Sequence, residues 1–172
     1  MIKESLVNAL SDQVNTEYYS AYLYLSMSAY ADRAGFKGVA HWLFVQAQEE
    51  IAHGTHLYRH ILDRGAAPSF GDIKTPQSSF ASIKDLFDKI LAHERQVTER
   101  IHRIASLAQS EQDHATYAFI SWYINEQVEE EAQAEELAAR AARIGDNPGL
   151  LYNLDSALAA RTFTDPFAGE GA

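Results

Sequence analysis

Four long stretches of this chain repeat apolar residues every three or four positions, and each repeat is broken near its middle by polar or charged residues. The spacing is that of helices burying one face, and it predicts helices over about 5–34, 36–64, 80–109 and 111–144. In the first, the stripe runs Leu6, Leu10, Val14, then Glu17, then Ala21 and Tyr24. In the second it runs Leu43, Gln46, then Glu50 and His53, then Leu57 and Ile61. The third reads Ile83, Phe87, Ile90, then Glu94, then Val97, Ile101 and Ile104. The fourth reads Ile120, Tyr123, then Gln127 and Glu130, then Ala134, Leu137 and Ala141.

Turn chemistry supports these limits. Gly35, Gly65 and Gly145 follow the first, second and fourth stretches, where a left-handed residue closes a helix. Ser110, with Asp113 three residues later, reads as the N-terminal cap of the fourth helix. Asn147-Pro148 reads as cap and first residue of a short fifth helix over 148–161, and 162–172 as a poorly ordered tail. The first two helices, and the last two of the four, are joined by one or two residues and must be antiparallel neighbours. The middle link, GAAPSFGDIKTPQSS, has fifteen residues with two prolines and two glycines. Extended, it spans roughly 50 Å, enough to return along a helix of about 28 residues, or roughly 42 Å. The expected fold is all-α, a single domain over 1–172: a four-helix bundle with one long crossover and a short fifth C-terminal helix.

The four interruptions fall near the helix midpoints, so they reach one level of the bundle whichever way each helix points. Four buried, unpaired glutamates would cost on the order of 10 to 20 kcal/mol, more than the stability of a whole domain. No Lys or Arg lies on the stripes at that level. Two divalent cations would balance the four carboxylates. A single stripe glutamate would be read as a water-satisfied core group; four helices agreeing on level and ligand type are read as a metal site. Glu-x-x-His alone is weaker, since it occurs at Glu50/His53, Glu99/His102 and Glu111/His114, of which the last two read as solvated surface. His41, His56, His60 and His93 lack carboxylate partners on the core face. Tyr24 stands two turns from Glu17 on the same face.

The chain has no cysteine, which leaves oxygen and imidazole ligands. This set suits iron or manganese better than copper, and two adjacent irons together deliver the two electrons that reduce dioxygen to peroxide. A net charge of −10 argues against nucleic acid or an anionic membrane as partner and favours cations. The start, MIKESLVNALSDQ, is polar and amphipathic, unlike a leader peptide, and no apolar run reaches membrane-spanning length, so a cytoplasmic protein is expected. One stretch is extreme: NEQVEEEAQAEE, residues 125–136, holds six glutamates and no basic residue. Glu126, Glu129 and Glu130 repel one another across a single turn unless a cation lies among them.

At these residues the chain resembles the bacterial non-haem ferritins, over essentially its whole length, crossover and fifth helix included. The resemblance implies a hollow shell of 24 subunits that oxidises Fe(II) with dioxygen or peroxide and deposits ferric mineral inside, an iron store and ferroxidase in one. It makes Glu17, Glu50 and His53 ligands of a first iron, with Glu50 bridging. Glu94 and Glu130 become ligands of the second, with Gln127 as hydrogen-bonding neighbour and Tyr24 as the tyrosine that assists oxidation. Glu49, Glu126, Glu129 and Glu130 match the family's third iron site, so the acidic run would face iron on both sides.

Departures from related patterns sharpen this. Bacterioferritins carry a second Glu-x-x-His where this chain has Gln127-x-x-Glu130, a change that favours passing iron onward over keeping a fixed cofactor. They ligate haem through a methionine after the bridging glutamate; here that residue is Ile51, so no haem is expected. The cysteine-rich domain of rubrerythrins is impossible here. The acidic pore residues of animal ferritins align with Tyr117 and Ile120. Two rival readings stay open: a di-iron oxidase or peroxidase of smaller assembly that stores no mineral, and a structural bundle whose glutamates pair through water.

Overall fold

The periodic stretches form α1 (Glu4–Arg33), α2 (Lys37–Asp63), α3 (Ile83–Ser110) and α4 (His114–Ile144), followed by a short α5 (Pro148–Leu158). The computed structural model describes residues 2–169, and among these there is no strand. Glycine closes three helices as anticipated: Gly35, Gly65 and Gly145 take φ of +91°, +74° and +55°.

Two helix starts differ from expectation. Ser110 does not cap α4, because α3 continues through it. Asp113 is the cap, accepting from the Thr116 amide at 2.9 Å, and its carboxylate also receives both arms of the Arg64 guanidinium at 2.9 Å. The turn between α3 and α4 is made by Gln112, which takes φ +57° without being glycine. The third helix begins at Ile83 rather than near Phe80, since Ser82 accepts from the Asp85 amide and Asp85 accepts in return from the Ala81 amide. Asn147 caps α5 through the Leu150 amide as read, but α5 ends at Leu158, short of 161.

α1 packs along α2, and α3 along α4. The crossover returns along α1: the Ser69 amide donates to Ser11, the Gly71 amide to Asn15, and Ser26 donates to the Gln77 carbonyl. It delivers Phe80 against Tyr30 at the end of α1, with ring centroids 5.1 Å apart. α3 therefore runs antiparallel to α1 and parallel to α2. The connection that sequence length allowed is the one the chain makes.

The core is split. One apolar cluster holds Tyr24, Met27, Leu43, Phe87, Ile90, Leu137 and Leu154. The other holds Leu6, Leu10, Val14, Leu57, Ile61, Ile101, Ile120 and Tyr123. Between them lies a buried polar belt of Gln13, Glu17, Gln46, Glu50, His53, Glu94, Gln127 and Glu130. The segment expected to be a poorly ordered tail packs on the bundle through Phe167, which is buried, stacks on His56 at 3.7 Å and meets the Trp122 ring at a tilt at 4.6 Å. Residues 170–172 of that segment lie outside the described residues.

Candidate metal centre

Each belt residue reaches its position by interrupting an apolar stripe, so the packing that buries the stripes also buries the ligand atoms. Glu17, Glu50, His53 and Glu94 are each 2% exposed. Among the described residues, three sets offer ligand atoms that all lie within 4.8 Å of one another: Glu17, Glu50 and His53; Glu50, Glu94 and Glu130; and His53, Glu126 and Glu130. Glu50 belongs to the first two sets and so stands between them.

Amides and hydroxyls orient the carboxylates. Gln13 donates to Glu17 at 2.8 Å and Gln46 to Glu130 at 3.0 Å. Gln127 donates to the other oxygen of Glu130 at 2.5 Å, while its carbonyl accepts from Thr98 at 3.0 Å. Tyr24 donates to Glu94, and Tyr123 to the carbonyl of His53 at 2.8 Å. These bonds satisfy some lone pairs and leave the charge in place.

Among the described residues no Lys or Arg forms an ion pair with Glu17, Glu50, Glu94 or Glu130; the nearest such contact is His53 Nδ1 at 3.7 Å from Glu50. Burial, reinforced by the neighbouring Glu50, pushes the Glu17 carboxyl up to about 8. Burial first and Glu94 second raise Glu50; burial raises Glu94; and burial followed by Glu50 holds Glu130 well above the usual carboxylate range. The Tyr24 phenol is held neutral by burial and by Glu94. Carboxyls raised in this way hold their protons more tightly than usual, and a bound cation would displace those protons and stabilise the ionised form. A donor set of carboxylates with one imidazole fits hard or borderline divalent metals such as Fe(II) and Mn(II).

The other acidic candidates are placed differently. Glu126 is half-buried and shares a set with His53 and Glu130. Glu129 is exposed and lies in none of the sets, and Glu49 lies in none either. Arg161, beyond α5, donates to Glu49 and to Gln46 at 2.6 Å. A basic group therefore does reach the edge of this level, from outside the four stripes. Gln13 was findable, since it precedes Glu17 by one turn; Gln46 already stood in its stripe. Arg161 carried no local signal, because its position depends on how α5 folds back on α2. Four other histidines are engaged elsewhere: His41 with the Arg161 carbonyl, His60 with Thr116, His93 with Ser20, and His56 with Tyr123. Ile120 is fully buried inside the bundle.

An all-α bundle with one glutamate shared between two buried, carboxylate-rich groups that could each hold a metal ion has the architecture of the helix-bundle carboxylate proteins. This chain belongs to the ferritin-like domain family, whose model matches residues 7–144. It is 39% identical over 165 residues to a bacterial non-heme ferritin of Staphylococcus aureus, covering 96% of this chain and 99% of that protein. A bacterial non-heme ferritin of Staphylococcus epidermidis is 41% identical over the same shares. Among solved structures, an open-pore ferritin from the hyperthermophilic archaeon Archaeoglobus fulgidus superposes with a TM-score of 0.93 at 41% identity, covering 94% of this chain and all of that one. A humanized archaeal ferritin gives 0.94 at 43%, covering 95% and 99%.

Proposed function

We propose that this protein stores iron: it oxidises Fe(II) with dioxygen or peroxide inside each subunit and deposits the ferric product within a shell of identical subunits, 24 by resemblance. The observation that carries this reading is the membership of Glu50 in both buried ligand sets. Glu17, Glu50 and His53 receive one Fe(II), and Glu50, Glu94 and Glu130 the other. Two substrate ions side by side supply the two electrons that convert one dioxygen, with two protons, into hydrogen peroxide and two Fe(III). The raised carboxyls release protons as the ions enter.

Gln127 and Gln46 hold the two oxygens of Glu130. With an amide at 127 in place of a carboxylate or imidazole ligand, the second site is the weaker one, which favours release of Fe(III) towards mineral. Tyr24, in hydrogen-bond contact with Glu94, is placed to give an electron or a proton during oxidation. Glu49, Glu126, Glu129 and Glu130 are assigned to a third iron position on the side where product leaves. Exposed Tyr22, Leu25 and Phe44 supply apolar surface for self-association.

Adding Fe(II) aerobically to the apo-protein at rising load, with size-exclusion chromatography and iron detection, tests this directly. Hundreds of ferric ions co-eluting with a very large particle are expected. Oxidation with only about two irons retained per chain would make the bundle a small di-iron oxidase instead.

A further inference from the structure

Arg161 lies three residues beyond α5 and brings a guanidinium to the edge of the carboxylate belt. One arm donates to the Gln46 carbonyl at 2.6 Å and the other to Glu49. The guanidinium carbon stands 4.7 Å from the centre of the Trp42 ring, and the Arg161 carbonyl accepts from His41 at 2.7 Å. The side chain is 19% exposed and that of Glu49 is 20% exposed, so this pair is largely shielded from solvent.

Two consequences follow from the geometry. Only the carbonyl of Gln46 can accept from a guanidinium, so Arg161 fixes the orientation of that amide. Its NH2 group then faces Glu130 at 3.0 Å and Glu50 at 3.4 Å. The second consequence concerns charge. The guanidinium is the ion-pair partner of Glu49, whose carboxyl is raised by burial and lowered by the Arg161 charge.

We propose that Arg161 is an internal cation that competes with a metal ion for Glu49, so that a third metal draws Glu49 in on this side of the centre only as the guanidinium is displaced. This rests on the iron-handling reading above. A guanidinium keeps its charge at every physiological pH, so the competition is permanent and is relieved only by movement. Displacement frees the Gln46 amide as well, which couples third-site loading to the grip on Glu130.

The test is calorimetric titration of the assembled apo-protein with Zn(II), which cannot be oxidised, for the unmodified chain, Arg161→Gln and Arg161→Lys. All three should show two tight sites per chain. In Arg161→Gln a third binding step should appear or tighten by at least about tenfold, whereas Arg161→Lys, which keeps the charge, should stay within about threefold of the unmodified chain. A third step that is unchanged or weaker in Arg161→Gln, with the two tight sites intact, would overturn the competition. Absence of two tight sites in the unmodified chain would instead overturn the underlying metal reading. Hydrogen exchange on the unmodified chain gives a check independent of any variant's folding. Amides of 159–167 should lose protection as Zn(II) passes two per chain towards saturation of the third site, and constant protection there counts against displacement.

Discussion

The hydroxyl of Tyr24 on α1 donates to a carboxylate oxygen of Glu94 on α3, inside the polar belt that divides the two apolar clusters. The phenol is 1% exposed. Its only useful chemistry at that depth is a hydrogen bond, a proton or an electron given to the centre. Tyr24→Phe removes the hydroxyl and keeps the ring that packs near His93. The variant should still bind two Zn(II) per chain while oxidising the first Fe(II) pair several-fold more slowly, as stopped-flow absorbance of the ferric product will show. An unchanged rate would reduce Tyr24 to a packing residue.

Glu50 is shared by both buried ligand sets, and His53 belongs to the first of them. Glu50→Ala should slow rapid Fe(II) oxidation by about tenfold or more, and His53→Ala by a similar factor. Above about pH 8, where Glu50 ionises, the same Glu50→Ala change removes a repulsive buried carboxylate, so the apo-protein should melt there at a higher temperature than the unmodified apo-protein. Faster loss of stability together with normal oxidation would contradict both halves of the assignment.

The pH dependence of the apo-protein has a defined sign. The folded Glu17 carboxyl is raised to about 8 from an ordinary value of 4.5, and Glu50, Glu94 and Glu130 are raised too. A folded state that holds protons the unfolded state has released loses stability as pH rises. Below 6.5 a second effect opposes this: His60 and His93 are depressed to about 4, so the unfolded chain gains protons there and stability rises with pH. Between pH 6.5 and about 8 only the carboxyls act. The apo melting temperature should therefore fall across that window, and saturating Zn(II) should flatten the decline. A flat profile across the same window would show that the buried glutamates are ionised without metal.

Gly38, near the start of α2, lies directly against the backbone of α5 at Asp155. A Cβ there would lie 1.8 Å from the Asp155 carbonyl oxygen, and the neighbouring Val39 amide donates to the Asp155 side chain at 2.8 Å. Gly38→Ala must push α5 outward, at a cost of about 1–3 kcal/mol. Amides of 155–161 should exchange faster, and the melting temperature should drop. Equal protection would mean that the contact relaxes elsewhere.

The ligand residues were legible because each one violates a local rule. Glu17, Glu50, His53, Glu94, Gln127 and Glu130 all break a stripe whose period is set by 3.6 residues per turn, so their burial could be inferred helix by helix. Glu49 and Glu129 sit one position away, rotated out of the stripe, and the structure leaves them outside the clustered sets. The helix limits were less legible at the α3–α4 turn. There Gln112 adopts a left-handed conformation that its side chain does not advertise, and Asp113 takes the capping role expected of Ser110.

Sequence by itself determined the four helices, their midpoint interruptions, the crossover and the demand for positive charge. These follow from periodicity and from the cost of burying carboxylates, both of which act within a single helix. Tertiary structure alone decided that Gln46 joins in holding Glu130 and that Phe167 and Arg161 return to the bundle. Those facts depend on where separate segments meet. The segment after α5 has no repeat to read, and its place is set by contacts with α2, more than a hundred residues back along the chain, and with Trp122 of α4, 45 residues before Phe167.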